Sequence, residues 1–305
     1  MATPSAPTEF SLRATGRVAR RQALSRLSRY VLLGATLIAV FVLIYLAIDV
    51  VRTGWSRISM DFFTNYPSRR PLDAGLRSSL LGWVWLMGAV IVMAIPLAVG
   101  TAVFVEEFAP KNRLTSLVRL NISNLAGVPS IIYGILGLAV FVRGFELLGI
   151  TIIPALGPTI LAGALTLTLM ILPMTVIASV EAIRQVPPSI RDGSLALGAT
   201  RWQTAWFHVL PGAMPGIMTG VILAVARAAG ETAALIMIGA FAFIAFDNTS
   251  LNESFTTVPI QVYNWTTLPQ EDFRKNAAAG IIVLMVLVLG LNLIAVIIRE
   301  RFRRT

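Results

Sequence analysis

Two ionisable side chains, Arg227 and Glu231, stand in the run "AVARAAGETAAL", inside an otherwise apolar stretch from Pro211 to Phe246. A charge near the centre of a bilayer costs from ~2.5 to more than 10 kcal/mol, so it persists there with a partner or a task. Four residues apart on one helix, the two share a face and can neutralise each other. One reading is therefore a closed intrahelical ion pair against a neighbouring helix. The other is anion chemistry, because a guanidinium is a planar fork of donors that stays charged at any relevant pH and matches phosphate oxygens. In that reading Arg227 attracts an anion in a pathway, and Glu231 holds the charge when the site is empty. Thr232, Ser130 and Tyr133 could add neutral hydrogen bonds, although such residues in spans commonly serve packing alone.

Other chemistry finds no residues to carry it. The chain has no Cys and one His, which removes thiolate chemistry, disulfides and Cys/His metal sites. His208 lies beside the membrane without a partner pair. There is no phosphate-binding loop of the Walker type, and the only lysines are Lys111 and Lys275, so any ATP-driven work belongs to another subunit.

The elements that position Arg227 and Glu231 are membrane spans. Of 305 residues, 56% are hydrophobic and 13% charged, and the mean hydropathy is +0.78, outside the range of soluble domains. About 20 apolar residues cross a bilayer. Uncharged runs at 31–48, 78–105, 120–142, 147–180 and 277–298, with the Pro211–Phe246 run, predict six spans. Pro154 and Pro158 break the fourth run, so its helix is expected from Thr159 to Val180. The first apolar run is span-length with no small-residue cleavage site behind it, and reads as an uncleaved anchor at 30–51.

Six spans place both termini on one side. That side carries 16 basic residues, including Arg13 and five further arginines in the tail 1–29, against 8 in the opposite loops, so it is the cytoplasmic one. The +10 net charge therefore reports orientation and lipid head groups, with nothing in the tail that suits nucleic acid. One anomaly stands in the external loop 52–77, which holds Arg52, Arg57, Arg69, Arg70 and Arg77. The two halves do not echo each other, and six spans without duplication suggest half of a two-part pore.

The cytoplasmic loop 181–211 is apolar where a solvated loop is not. After Pro187 and Pro188, a start signal, Leu195, Leu197, Trp202, Trp206 and Phe207 predict an amphipathic helix-turn-helix around Gly198. Such a loop either lies in the lipid interface or docks into a cytoplasmic partner.

From Asp192 to Pro211 this loop, "DGSLALGATRWQTAWFHVLP", resembles the EAA loop of ABC importer permeases: Glu-Ala-Ala, three residues, Gly, nine residues, Ile, one residue, Leu-Pro. Gly198, Leu210 and Pro211 keep the spacing. Asp192, Gly193 and Ser194 replace Glu-Ala-Ala, and His208 replaces Ile. "GVPSIIYGILGL", "ARAAGETAAL" and "VPIQVYNW" together resemble the A-type permease subunit of phosphate-specific importers, over residues 74–300.

The resemblance implies an all-α membrane protein of the type I ABC importer permease fold, not itself an enzyme, in a bacterial or archaeal cytoplasmic membrane. It also implies a second, homologous C-type permease, a pair of ATP-binding subunits that use ATP and Mg, and an external phosphate-binding protein. In such importers the loop is the coupling helix, here with Asp192, Gly193, Ser194, Leu195, Leu197, Gly198, Ala199, Leu210 and Pro211. Residues 301–305 are expected as a second cytoplasmic tail. The rival substrates are sulfate, molybdate or another oxyanion; the rival classes are an ion-coupled carrier and a non-transporting scaffold.

Overall fold

The computed structural model describes residues 16–240 and 243–303. Arg13 and the rest of 1–15, Phe241 and Ala242 of the sixth apolar run, and Arg304 and Thr305 of the expected C-terminal tail lie outside the described residues. The chain divides into two compact units, up to Val50 and from Val51 onward. The first unit is helical: α1 runs Arg17–Gly54, so the expected anchor at 30–51 is the apolar part of a longer helix. Its large apolar side chains from Leu24 to Ile48 are exposed. A helix apolar all round along such a length is a candidate membrane span.

In the second unit α2 (Met60–Thr64) precedes α3 (Arg77–Val103), which widens into a π-helical turn over Phe104–Phe108. Next come α4 (Arg113–Ala126), α5 (Ser130–Gly137) with a second π turn to Val142, and a short antiparallel hairpin of β1 (Phe145–Leu147) and β2 (Ile150–Ile153). The chain then forms α6 (Ile160–Arg184), α7 (Pro188–Ala196), α8 (Arg201–Thr204) and α9 (Leu210–Ala229), with a π turn joining α8 to α9. It closes with α10 (Ala233–Met237), α11 (Val258–Thr267) and α12 (Glu271–Arg303).

Among the described residues, five helices are long and apolar enough to cross a membrane, and α4 with α5, bent by 103°, makes a sixth span if counted as one. The run at 120–142 is therefore not one straight helix. Pro129 has no N–H to extend α4 and pushes Val128 out of the helical region, so α5 restarts at Ser130 in a new direction. By contrast α6 begins as expected, with the Thr159 side chain accepting from the Ala162 N–H, its N-cap.

The core is built on α6, which packs most extensively against α3 and α9. Two-thirds of its most apolar window (67%) is buried, against 6% for α12, which marks α6 as the centre and α12 as a lipid-facing or partner-facing rim. Close approach needs small residues: a side chain at Gly216 of α9 would come within 2.7 Å of Ala182 of α6.

The arginine-rich loop 52–77 is partly explained by its contacts. Arg57 donates to the Asn276 side chain and to the carbonyls of Pro71 and Leu72, all at 2.6 Å. Arg77 donates to Asp247 through Nε at 2.8 Å and lies 5.1 Å over the Tyr66 ring. These two arginines staple the 52–77 loop to α12 and to the 247 loop.

Candidate functional site

The helix that carries Arg227 stops before Glu231. α9 ends at Ala229 with Gly230 as its C-cap, so the two charges do not share a helix face. Each charge sits at the helix end that suits its sign. Arg227 lies in the last turn of α9, where the macrodipole is negative. The Glu231 carboxylate accepts from the N–H of Ala234, in the first turn of α10, at 3.2 Å. The expected Arg227–Glu231 ion pair is therefore absent: the turn at Gly230 separates the two, and Glu231 satisfies a backbone donor instead.

Arg227 is exposed and has no ion pair with any described residue. Its guanidinium reaches the Met174 sulfur of α6 at 4.0 Å and lies within electrostatic reach of the Tyr133 hydroxyl. Tyr133 is buried and its hydroxyl donates to the Leu125 carbonyl across the α4–α5 bend at 2.8 Å. Ser130 is half-buried at the start of α5. The Thr232 hydroxyl donates to the Gly230 carbonyl at 3.3 Å, inside the break.

The two interrupted spans meet. A Cβ on Gly134 of α5 would lie 2.7 Å from the Ala234 carbonyl of α10, so the backbones touch with no room for a side chain. On the other side of the break, the Trp83 indole of α3 donates to the Ala229 carbonyl at 3.0 Å. Irregular backbone at membrane depth is tolerated only when buried in protein or lining a watery cavity. Here protein groups satisfy part of it, and an unpaired cation stands beside it.

The loop 181–211 has the helix-turn-helix form expected of it. α7 starts at Pro188, and the chain reverses at Gly198, whose φ of +86° is a left-handed conformation that favours glycine. α8 follows with a capping box between Thr200 and Gln203. Ser194 and Thr204 close the turn from inside, hydroxyl to hydroxyl at 3.0 Å. Outward stand Asp192, Gly193, Leu195 and Leu197, the last 91% exposed, with Ala199 and Leu210 half-buried and Pro211 exposed. Trp202 and Trp206 stack at 5.6 Å with their rings nearly parallel at 8°, and Phe108 packs on Trp202.

One layer of charge was not anticipated from the sequence. Glu107, at the end of α3, receives Arg191 of α7 through Nη2 at 2.8 Å and Nε at 3.0 Å. The same guanidinium donates to the carbonyls of Val186 and Ile183 at the end of α6, at 2.7 and 2.9 Å. Glu106 receives Arg119 of α4 at 2.7 Å and Arg184 of α6 at 3.2 Å. The paired acids in "FVEEF", at a span end facing basic loops, were the available signal.

Spans packed on a central helix, two of them interrupted beside an unpaired arginine, and an apolar helical loop held to the span ends by a guanidinium clamp, define a permease half. The chain belongs to the family described as "Binding-protein-dependent transport system inner membrane component", which matches residues 74–304. It is thus an ABC importer permease and a multi-pass membrane protein. It is 33% identical over 256 residues to the probable ABC transporter permease protein YqgI of Bacillus subtilis (strain 168), covering 79% of this chain and 84% of that one. It is 30% identical over 269 residues to the phosphate transport system permease protein PstA 1 of Mycobacterium tuberculosis (strain ATCC 25618 / H37Rv), covering 86% and 83%. Among solved structures it resembles a chain of a bacterial alginate ABC transporter crystallised with its pentasaccharide-bound periplasmic protein. The TM-score is 0.67 at 15% identity, over 95% of this chain and 99% of that one, a likeness of fold.

Proposed function

We propose that this chain is the A-type permease subunit of an ATP-driven importer of inorganic phosphate, forming half of the translocation path. The observation that carries the reading is Arg227: an exposed guanidinium with no ion pair among the described residues, beside Tyr133, where two spans are interrupted. A cation kept at such a place is a functional site by default. Relatives that cover most of the chain and are described as phosphate transport permeases support phosphate as the anion. Ser130 and Thr232 stand near the two breaks as further polar contributors. Glu231 serves as an N-terminal cap of α10, and its role as a resting counter-ion would require the turn at Gly230 to close.

The site is completed by a second, homologous permease, and ATP and Mg are held by a pair of separate ATP-binding subunits. Phosphate arrives from an external binding protein, and the whole complex sits in the cytoplasmic membrane. The outward residues of α7, with Gly198, Ala199, Leu210 and Pro211, form the coupling surface for the ATPase. Closure of the ATPase pair moves α7 and α8, and Arg191 passes that movement to the ends of α3 and α6, which it ties together.

The test is to purify the chain with its native partners and ask which oxyanion, delivered by the binding protein, stimulates ATP hydrolysis. Stimulation by sulfate or molybdate in place of phosphate would move the substrate to another oxyanion. Transport by this chain alone, without ATP and collapsing with an ion gradient, would overturn the ABC mechanism for it.

A further inference from the structure

A second polar site lies on the external side, in a cavity of about 490 Å³ between α11 and residues 67–69. It takes in three residues of "VPIQVYNW", Gln261, Asn264 and Trp265, a run that the coupling and translocation roles leave unused. Gln261 is buried, 6% exposed, and its side-chain amide has no hydrogen-bond partner among the described residues. Asn264 also lines the cavity, and its Oδ1 is buried and unpaired. Arg69 lines the same space and makes no ion pair with any described residue, unlike Arg70, which faces Asp73 at 4.0 Å. Trp265 and Phe273, both at most 2% exposed, give the cavity rigid aromatic walls.

A buried acceptor is costly to leave unpaired, at ~1–3 kcal/mol, and Asn264 Oδ1 is one; the Gln261 amide, also without a partner among the described residues, and the Arg69 guanidinium line the same cavity. We propose that this cavity is an external acceptor site for a protonated tetrahedral oxyanion, inorganic phosphate, on its way to Arg227. Arg69 supplies the charge, and the two amides supply both a donor and an acceptor each. The acceptors matter. Phosphate at neutral pH keeps at least one P–OH, which can donate to an amide oxygen, whereas sulfate brings acceptors only. A site built to hydrogen-bond a hydroxyl rejects the analogue that lacks it far more strongly than an apolar pocket can. The inference rests on the phosphate reading above and adds a place where that selectivity is exercised outside the span.

Trp265 is a local reporter of the cavity. The assembled complex in nanodiscs, without binding protein, is titrated with inorganic phosphate and with sulfate at matched ionic strength, following tryptophan fluorescence; the Trp265→Phe complex gives the background. The expected result is a saturable Trp265-dependent change for phosphate, at least about tenfold weaker for sulfate, and about tenfold weaker for phosphate in Arg69→Gln and in Gln261→Met. Arg69 is exposed, so its replacement leaves folding intact even if Gln261→Met does not. Absence of a Trp265-dependent change, equal midpoints for the two anions, or an unchanged midpoint in Arg69→Gln overturns the proposal. Uptake by the unaltered complex is measured alongside. A complex that imports another anion and not phosphate ends the phosphate reading, while the titration judges the cavity by itself.

Discussion

The indole Nε1 of Trp83, on α3, donates to the carbonyl of Ala229, the last residue of α9, at 3.0 Å. Both residues are buried. A helix that ends inside a bilayer strands its last carbonyls, and this bond satisfies one of them two residues beyond Arg227. Trp83→Phe keeps the ring and removes the donor, leaving a buried acceptor bare at a cost of ~1–3 kcal/mol. The expected outcome is a complex that assembles, melts at lower temperature and takes up substrate more slowly. Unchanged melting would mean that the break is held by other contacts.

Arg227→Gln should abolish phosphate uptake while leaving assembly and basal ATP hydrolysis detectable. The side chain is exposed and makes no ion pair among the described residues, so its loss strands no buried charge. Uptake near the unaltered rate would remove Arg227 from the path.

At Gly198 the obstacle to substitution is conformational and not steric, since a Cβ there would meet no atom within 4 Å. Gly198→Leu must hold a left-handed φ, at ~1–3 kcal/mol, and should weaken co-purification with the ATPase. Gly198→Asn, which visits that region readily, should restore much of it. Equal co-purification of all three would argue that the turn is not what the partner reads.

Glu107 and Arg191 should prove energetically coupled. Their side chains are 14% and 22% exposed, so removing one leaves the other partly buried and uncompensated. In a double-mutant cycle of Glu107→Gln and Arg191→Gln, melting of the complex should reveal a coupling of ~0.5–3 kcal/mol. ATP hydrolysis by Arg191→Gln should also lose its dependence on loaded binding protein, an effect that a purely structural bond would not produce.

Asp247 gives a pH dependence with a definite sign. The hydrogen bond from Arg77 holds its carboxyl below the ordinary range, helped by Tyr66 and against the effect of burial. A lowered folded value means that the Arg77–Asp247 contact stabilises the protein above about pH 4 and is lost as pH falls through that lower value. Amide exchange at residues 244–248 should therefore accelerate on acidification once intrinsic rates are corrected for. Asp247→Asn should exchange faster at neutral pH and lose the acid step.

How much of this could be read from the chain depends on how local each cause is. The start of α6 was legible because Thr159, Pro154 and Pro158 act within a few residues, and the loop helices because Pro188 and Gly198 punctuate them. The bend at Pro129 lay in plain sight, but a proline inside an apolar run is compatible with packing as well as with a break. The end of α9 at Ala229 was hidden, since its supports are the Trp83 indole from another helix and a carboxylate that hydrophobic periodicity assigns to the same face as Arg227. The Arg191–Glu107 clamp joins residues 84 positions apart, and no spacing rule reaches that far.

An uncompensated guanidinium at membrane depth also has an electrical meaning. With the interior negative, each negative charge carried inward works against ~2.3 kcal/mol per 100 mV, so a divalent anion climbs about twice that. Arg227, released from Glu231 by the turn at Gly230, places a fixed positive charge on that slope. If Arg227 is the anion site proposed above, that charge creates a local well the voltage alone would not provide, and its depth would set how tightly an anion waits there before the energy of ATP drives it on, against the potential, to the other side.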